Sequence, residues 1–153
     1  MKARPFSGEV VKLSTFGAMY CLAATPDGRV ITGSSGEVKV WRDGACERTI
    51  TAHTRAIWAV AVLPGSARFV SGSSDTTAKL WTLDGALERT FEVGSCVLCV
   101  AALPDGAHFV VGLSLNAHYE VRLYHVDGTL VHAFTAHTSN VWSVAATWYS
   151  RTS

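Results

Sequence analysis

The sequence has no excess of either charge. Lysine and arginine number 13 against 12 aspartates and glutamates in 153 residues, so no net charge draws the chain to nucleic acid or an anionic membrane. It has no long apolar run: the longest, Cys96 to Pro104, falls far short of a bilayer span. The leading residues, MKARPFSGEVVK, lack the apolar centre of a secretory signal. We therefore expect a soluble chain in the cytoplasm, with the nucleus as the alternative. The four cysteines are expected as free thiols. No segment sustains a helical period. Neither a G-x-x-x-x-G-K-[ST] phosphate cradle nor a G-x-S-x-G nucleophile elbow occurs. Cys96 and Cys99 spell C-x-x-C, but positions three apart on a strand face opposite ways, and no second pair completes a zinc site. Neither metal nor cofactor is expected.

What is present is a repeat. Pro26, Pro64 and Pro104 stand 38 and 40 residues apart, and Gly33, Gly72 and Gly112 stand 39 and 40 apart. Trp41, Trp81 and Tyr124 follow at intervals of 40 and 43, and the tetrapeptide TAHT recurs at Thr51 and Thr135. A phrase of about 40 residues is being repeated, the mark of stacked supersecondary units. With 48% hydrophobic residues, such units have enough apolar surface to bury a core.

The second unit shows what one phrase encodes. Trp58–Val62 is apolar and stops at Leu63-Pro64-Gly65, a turn signal. Arg68–Ser71 stops at Gly72, and Ala78–Trp81 stops near Asp84-Gly85, a hairpin turn pair. Leu87–Phe91 carries Glu88 and Arg89, which suits an outer strand that must resist edge pairing. The inner three strands are apolar on both faces, as strands between neighbouring sheets must be. The expectation is an all-β chain of four-stranded meanders.

Four strands per 40 residues, a His before the first strand and a Trp ending the third resemble the WD40 repeat over roughly Tyr20 to Trp142. The family's Gly-His stands here as Ala52-His53 and Ala136-His137, and its Trp-Asp as Trp41-Arg42, Trp81-Thr82 and Tyr124-His125. The resemblance implies a β-propeller, here partial: three blades and the start of a fourth. Residues 1–18 form an N-terminal segment with a candidate outer or closing strand at Gly8–Leu13. The repeats run over 19–54, 55–94, 95–138 and a partial 139–147, and 148–153 is a divergent tail. Propellers close with about 4–8 blades. The expectation is therefore an open arc, or a fragment of a larger propeller, whose blade ends invite self-association.

The resemblance also implies a buried chain of hydrogen bonds across one blade, which falls on His53, Ser71, Asp75 and Trp81. A buried polar group left unpaired costs about 1–3 kcal/mol, so these four would support one another. The same Ser, His and Asp also suit a hydrolase, which is kept as a lesser alternative. The first unit has Thr32 and Trp41, with Gly36 near the Asp position; the third has Val111 and Tyr124. Trp58 and Trp142 share one slot, 84 residues apart, filled elsewhere by Tyr20 and Leu98. In the family this edge lines a docking face. Tyr20, Arg55, Trp58, Asn140 and Trp142 are thus the candidate protein-binding residues, set against the reading that the rings pack between blades. His108, His118, His125 and His132 match no metal spacing, and His118 lies in a long turn that could touch a partner. The expected function is a non-catalytic protein-interaction scaffold with partners of unknown identity; the rival is a nonfunctional fragment of a larger WD40 protein.

Overall fold

A computed structural model of the chain describes residues 17–114, 119–135 and 137–147. The candidate strand Gly8–Leu13, His118 and the tail 148–153 lie outside the described residues.

Among the described residues twelve strands form three four-stranded antiparallel sheets, and no helix occurs. Sheet 1 is β1 (Cys21–Ala24), β2 (Val30–Gly33), β3 (Glu37–Arg42) and β4 (Ala45–Thr51). Sheet 2 is β5 (Ile57–Leu63), β6 (Arg68–Ser73), β7 (Thr77–Thr82) and β8 (Leu87–Glu92). Sheet 3 is β9 (Cys96–Ala102), β10 (His108–Ser114), β11 (Val121–His125) and β12 (Leu130–Phe134). Each sheet is a meander in which every strand pairs with its sequence neighbour. The turns that close them use left-handed glycines where the sequence signals them, at Gly65 (φ 70°) and Gly85 (φ 92°). These are three blades of a partial β-propeller.

The blades stack through two cores. Ile31, Val38 and Ile50 of sheet 1 meet Ile57, Phe69 and Trp81 of sheet 2. Val70, Leu80 and Phe91 of sheet 2 meet Val97, Phe109 and Leu113 of sheet 3. Strands β2, β6 and β10 therefore carry apolar residues on both faces, as buried strands do. The outer strands β4, β8 and β12 are mostly exposed.

The repeated glycine is a notch. A Cβ on Gly33 would stand 2.8 Å from Ile57 Cγ2, one on Gly72 2.9 Å from Val100 Cγ2, and one on Gly112 2.8 Å from Val141 Cγ1. No real Cβ sits so close, so only glycine lets the next inner strand approach. Opposite each notch stands a small residue, in the pairs Cys21–Gly33, Ala59–Gly72 and Cys99–Gly112. Val141 thus seats against sheet 3 where Ile57 seats against sheet 1.

Candidate functional site

The structure brings His53, Ser71, Asp75 and Trp81 together in sheet 2. The Trp81 indole N–H donates to Ser71 Oγ across 2.9 Å. Ser71 Oγ lies 2.7 Å from His53 Nε2, and His53 Nδ1 lies 2.8 Å from Asp75 Oδ2. One tautomer satisfies every partner: Nδ1–H donates to the carboxylate, and Nε2 accepts the serine proton. Thr77 holds the far carboxylate oxygen, with its hydroxyl at 2.6 Å and its amide at 3.0 Å. The Thr54 amide donates to Oδ2 at 3.3 Å. The sequence reading missed Thr77 and Thr54, although a Thr two residues after a buried Asp is a common local partner.

Burial pushes the Asp75 carboxyl up, but hydrogen bonds from Thr77 and His53 outweigh it, and the group titrates below its ordinary value. Burial pushes His53 down and outweighs the favourable Asp75 carboxylate, so the ring is held neutral. Lys79 adds to the downward push, and its ammonium donates to Ala52 O at 2.8 Å. Ser71 is 0% exposed and its oxygen is already shared by Trp81 and His53. In this arrangement no substrate carbonyl reaches that oxygen.

The other sheets carry less of this chain. In sheet 1 the Trp41 indole donates to Thr32 Oγ1 at 2.9 Å, the same link as Trp81 to Ser71. The placement of Gly36 near the Asp position needs correcting. Gly36 O accepts from the amides of Ala52 and His53, as Thr76 O accepts from those of Val93 and Gly94. Both residues are left-handed, with φ 98° at Gly36 and 72° at Thr76. Ser35 is approached by the Tyr20 hydroxyl as Ser74 is by the Trp58 indole. The turn of sheet 1 is therefore one residue shorter, and Asp75 has no counterpart there. In sheet 3 the polar pair is replaced by Val111 and Tyr124, both in the apolar core, with Tyr124 stacked against Phe109.

The candidate binding residues separate into two groups. Tyr20 and Trp58 lie in contact, ring centroids 5.0 Å apart and planes inclined by 44°, while 41% and 40% exposed. Their position follows from the ladder. Ile57 pairs with Ser73 and Ala59 with Gly72, so Trp58 is the extra residue of a β-bulge. A bulge re-aims a side chain, here toward the rim, where the indole N–H donates to Ser74 Oγ. Leu98 is the matching bulge residue in sheet 3. Arg55 is exposed on the loop before β5. Asn140 is half-buried and accepts from the Ser114 hydroxyl at 2.5 Å. Trp142 follows Val141, which seats against sheet 3 at Gly112, and is 71% exposed. Ser35 and Ser74 were not singled out in the sequence, although Ser34-Ser35 and Ser73-Ser74 recur in phase.

The thiols of the C-x-x-C pair point to different neighbours. Cys96 Sγ lies 3.4 Å from Ser74 Oγ in sheet 2, and Cys99 Sγ lies 3.3 Å from Val141 O. Cys21 makes the equivalent contact to Ile57 O at 3.5 Å. Burial pushes the Cys21 thiol up to about 11 and raises that of Cys99 as well, so both stay protonated and able to donate. His108 and His125 are ring neighbours at 4.8 Å, each beside an aspartate: Asp105 at 2.5 Å and Asp127 at 3.1 Å.

Comparison with known proteins agrees with this architecture. The family model of the WD domain, G-beta repeat, matches residues 10–42 and 44–82. The chain belongs to the WD40-repeat family. It is similar to apoptotic protease-activating factor 1 of Rattus norvegicus, at 35% identity over 69% of this chain and 9% of that protein. It is 29% identical to the 77 kDa echinoderm microtubule-associated protein of Lytechinus variegatus over 83% of this chain and 20% of that one. With pre-mRNA-processing factor 17 of Saccharomyces cerevisiae the identity is 29% over 71% of this chain and 25% of that one. The chain thus spans a quarter or less of the length of these relatives. The second matched repeat contains β4 of sheet 1 together with β5, β6 and β7 of sheet 2. A sequence repeat therefore straddles two blades and ties them covalently. No helix among the described residues is long and apolar enough to cross a membrane.

Proposed function

We propose that the chain is a non-catalytic protein-interaction scaffold that docks partner proteins on the rim bearing Tyr20, Arg55 and Trp58, with Asn140 and Trp142 on the same rim beyond sheet 3. WD40 repeats generally serve as such scaffolds, and fold-level likeness leaves the partner open. The observation that carries the reading is the Tyr20–Trp58 pair: two large rings packed on one another, anchored to Ser35 and Ser74, and still two-fifths exposed. Pre-ordered aromatic rings lose little entropy on binding and make strong interface anchors. The buried His53–Ser71–Asp75–Trp81 chain has a different role in this reading. It holds the blade beneath the rim, and the burial of Ser71 argues against the hydrolase alternative.

The test compares partner capture by the parent chain and by Trp58→Ala. The substitution should weaken capture by roughly 2 kcal/mol or more, with the β-sheet signal and melting temperature nearly unchanged. Leu87→Ala, at another exposed apolar position, should retain the partners. Unfolding of Trp58→Ala would make the ring a packing element. Retention of every partner would move the docking face elsewhere.

A further inference from the structure

The three outer strands share one construction. In β4, Val40 pairs with Arg48 and Trp41 with Cys46, leaving Glu47 as a bulge residue. In β8, Leu80 pairs with Arg89 and Trp81 with Leu87, leaving Glu88. In β12, Leu123 pairs with His132 and Tyr124 with Leu130, leaving Val131. The tripeptide that follows this pattern is Glu-Arg-Thr at 47–49 and again at 88–90, but Val-His-Ala at 131–133.

The glutamates protect their edges. Glu47 is paired with Arg42 at 2.8 Å and Glu88 with Arg68 at 3.4 Å, so each bulge presents a solvated ion pair to any approaching strand. The arginines beside them cover the next blade. A Cβ on Gly85 would stand 2.7 Å from Arg48 Cδ, and one on Gly128 would stand 2.9 Å from Arg89 Nη1. Strand β12 keeps the bulge and loses the charges. It has no Asp, Glu, Lys or Arg, and Leu130 and Val131 are 47% and 48% exposed. Phe134 pairs with Val121 as Phe91 pairs with Ala78, so it lies on the face of the sheet and not on its edge. Among the described residues it is paired on one side only, by β11.

We propose that β12 is a docking edge for a second copy of this chain, which adds its own β12 antiparallel across a two-fold axis. Charge matching selects this occupant from the three edges a copy presents. Against β4 or β8, an apolar strand would strip water from Glu47 or Glu88 without offering a counter-charge. Against β12 neither side has an Asp, Glu, Lys or Arg to desolvate, and the two-fold presents the same edge to itself. Main-chain hydrogen bonds supply the ladder, and the exposed Leu130 and Val131 side chains cover one another across it. This contact lies on the sheet edge, distinct from the face of sheet 3 that receives Val141. It does not depend on the aromatic rim.

Sedimentation velocity over a concentration series tests it. The parent chain should show a monomer–dimer equilibrium. Val131→Glu restores the residue type of the other two edges, so the fold should tolerate it, and it should weaken the dimer roughly tenfold or more. Val131→Lys should do the same, and it stands in if the glutamate variant melts early. Val110→Thr, on the Val141-facing side of β10, should leave the dimer intact. A parent that stays monomeric throughout overturns the proposal, as does a dimer of equal strength in both charged variants. Loss of the dimer in Val110→Thr with retention in Val131→Glu also overturns it, by placing the contact on the sheet face. Trp58→Ala should not alter the equilibrium, so failure of the rim and failure of the edge read out separately.

Discussion

His53 stands between Ser71 and Asp75, 2.7 Å from the hydroxyl and 2.8 Å from the carboxylate, and this pairing joins the loop before β5 to the turn after β6. The carboxylate also accepts from Thr54 and twice from Thr77. Asp75→Ala leaves those donors and the imidazole N–H short of a partner. We expect a loss of about 1–3 kcal/mol, read as a lower urea midpoint with unchanged slope. An unchanged midpoint would show that water replaces the carboxylate at no cost.

The same pair sets a pH dependence. His53 is held neutral, below its ordinary value of 6.5, chiefly by burial. As pH falls through 6.5 the unfolded chain binds a proton there that the folded chain refuses, so stability declines toward the lowered folded pKa. Asp75 is also lowered, against the effect of its burial, by Thr77 and His53, and its contribution is lost further down, as pH falls below 3.8 and through the folded pKa. Melting temperature should therefore drop between pH 7.5 and pH 5.5. In His53→Gln the part of this drop due to His53 should vanish. An equal drop in both proteins would assign it to other groups.

Gly72 receives the inner strand of the next blade. Gly72→Ala places a methyl inside the contact distance of Val97 Cγ1, and both neighbours are held in the core. We expect destabilisation by about 1–3 kcal/mol. Gly65→Ala is the informative contrast, because nothing lies within 4 Å of its Cβ and only its φ of 70° is strained. Equal losses at the two sites would show that backbone conformation, not packing, sets the cost.

Thr76 is a β-branched residue at φ 72°, a conformation that crowds its Cβ against the backbone. The equivalent residue in sheet 1 is Gly36. Thr76→Gly relieves that strain and gives back part of the gain as unfolded-chain entropy. A net stabilisation of up to about 1 kcal/mol is expected, seen as a higher melting temperature. A lower one would mean that the threonine side chain contributes more than its strain costs.

Much of this protein was legible in its sequence because a repeat states each local rule several times. The turn residues at Pro64-Gly65 and Asp84-Gly85, the apolar inner strands and the Glu-Arg outer strand are short-range signals. The strands they bound match the sheets within a residue or two, as β5, β6, β7 and β8 do. The set His53, Ser71, Asp75 and Trp81 came instead from the resemblance to the WD40 repeat, because no other unit of the chain repeats it in full. Tertiary structure decided what depends on register and on neighbours. Nothing in a string of letters marks Trp58 as a bulge residue, because a bulge is defined by the two residues that pair around it. Nothing there shows that Gly36 answers to Thr76 and not to Asp75, because a one-residue deletion in a turn is located by hydrogen bonds. The exposure of β12 is also a property of the assembled sheet. Its composition appears in the sequence, but composition becomes an edge only when β11 covers one side and, among the described residues, nothing covers the other.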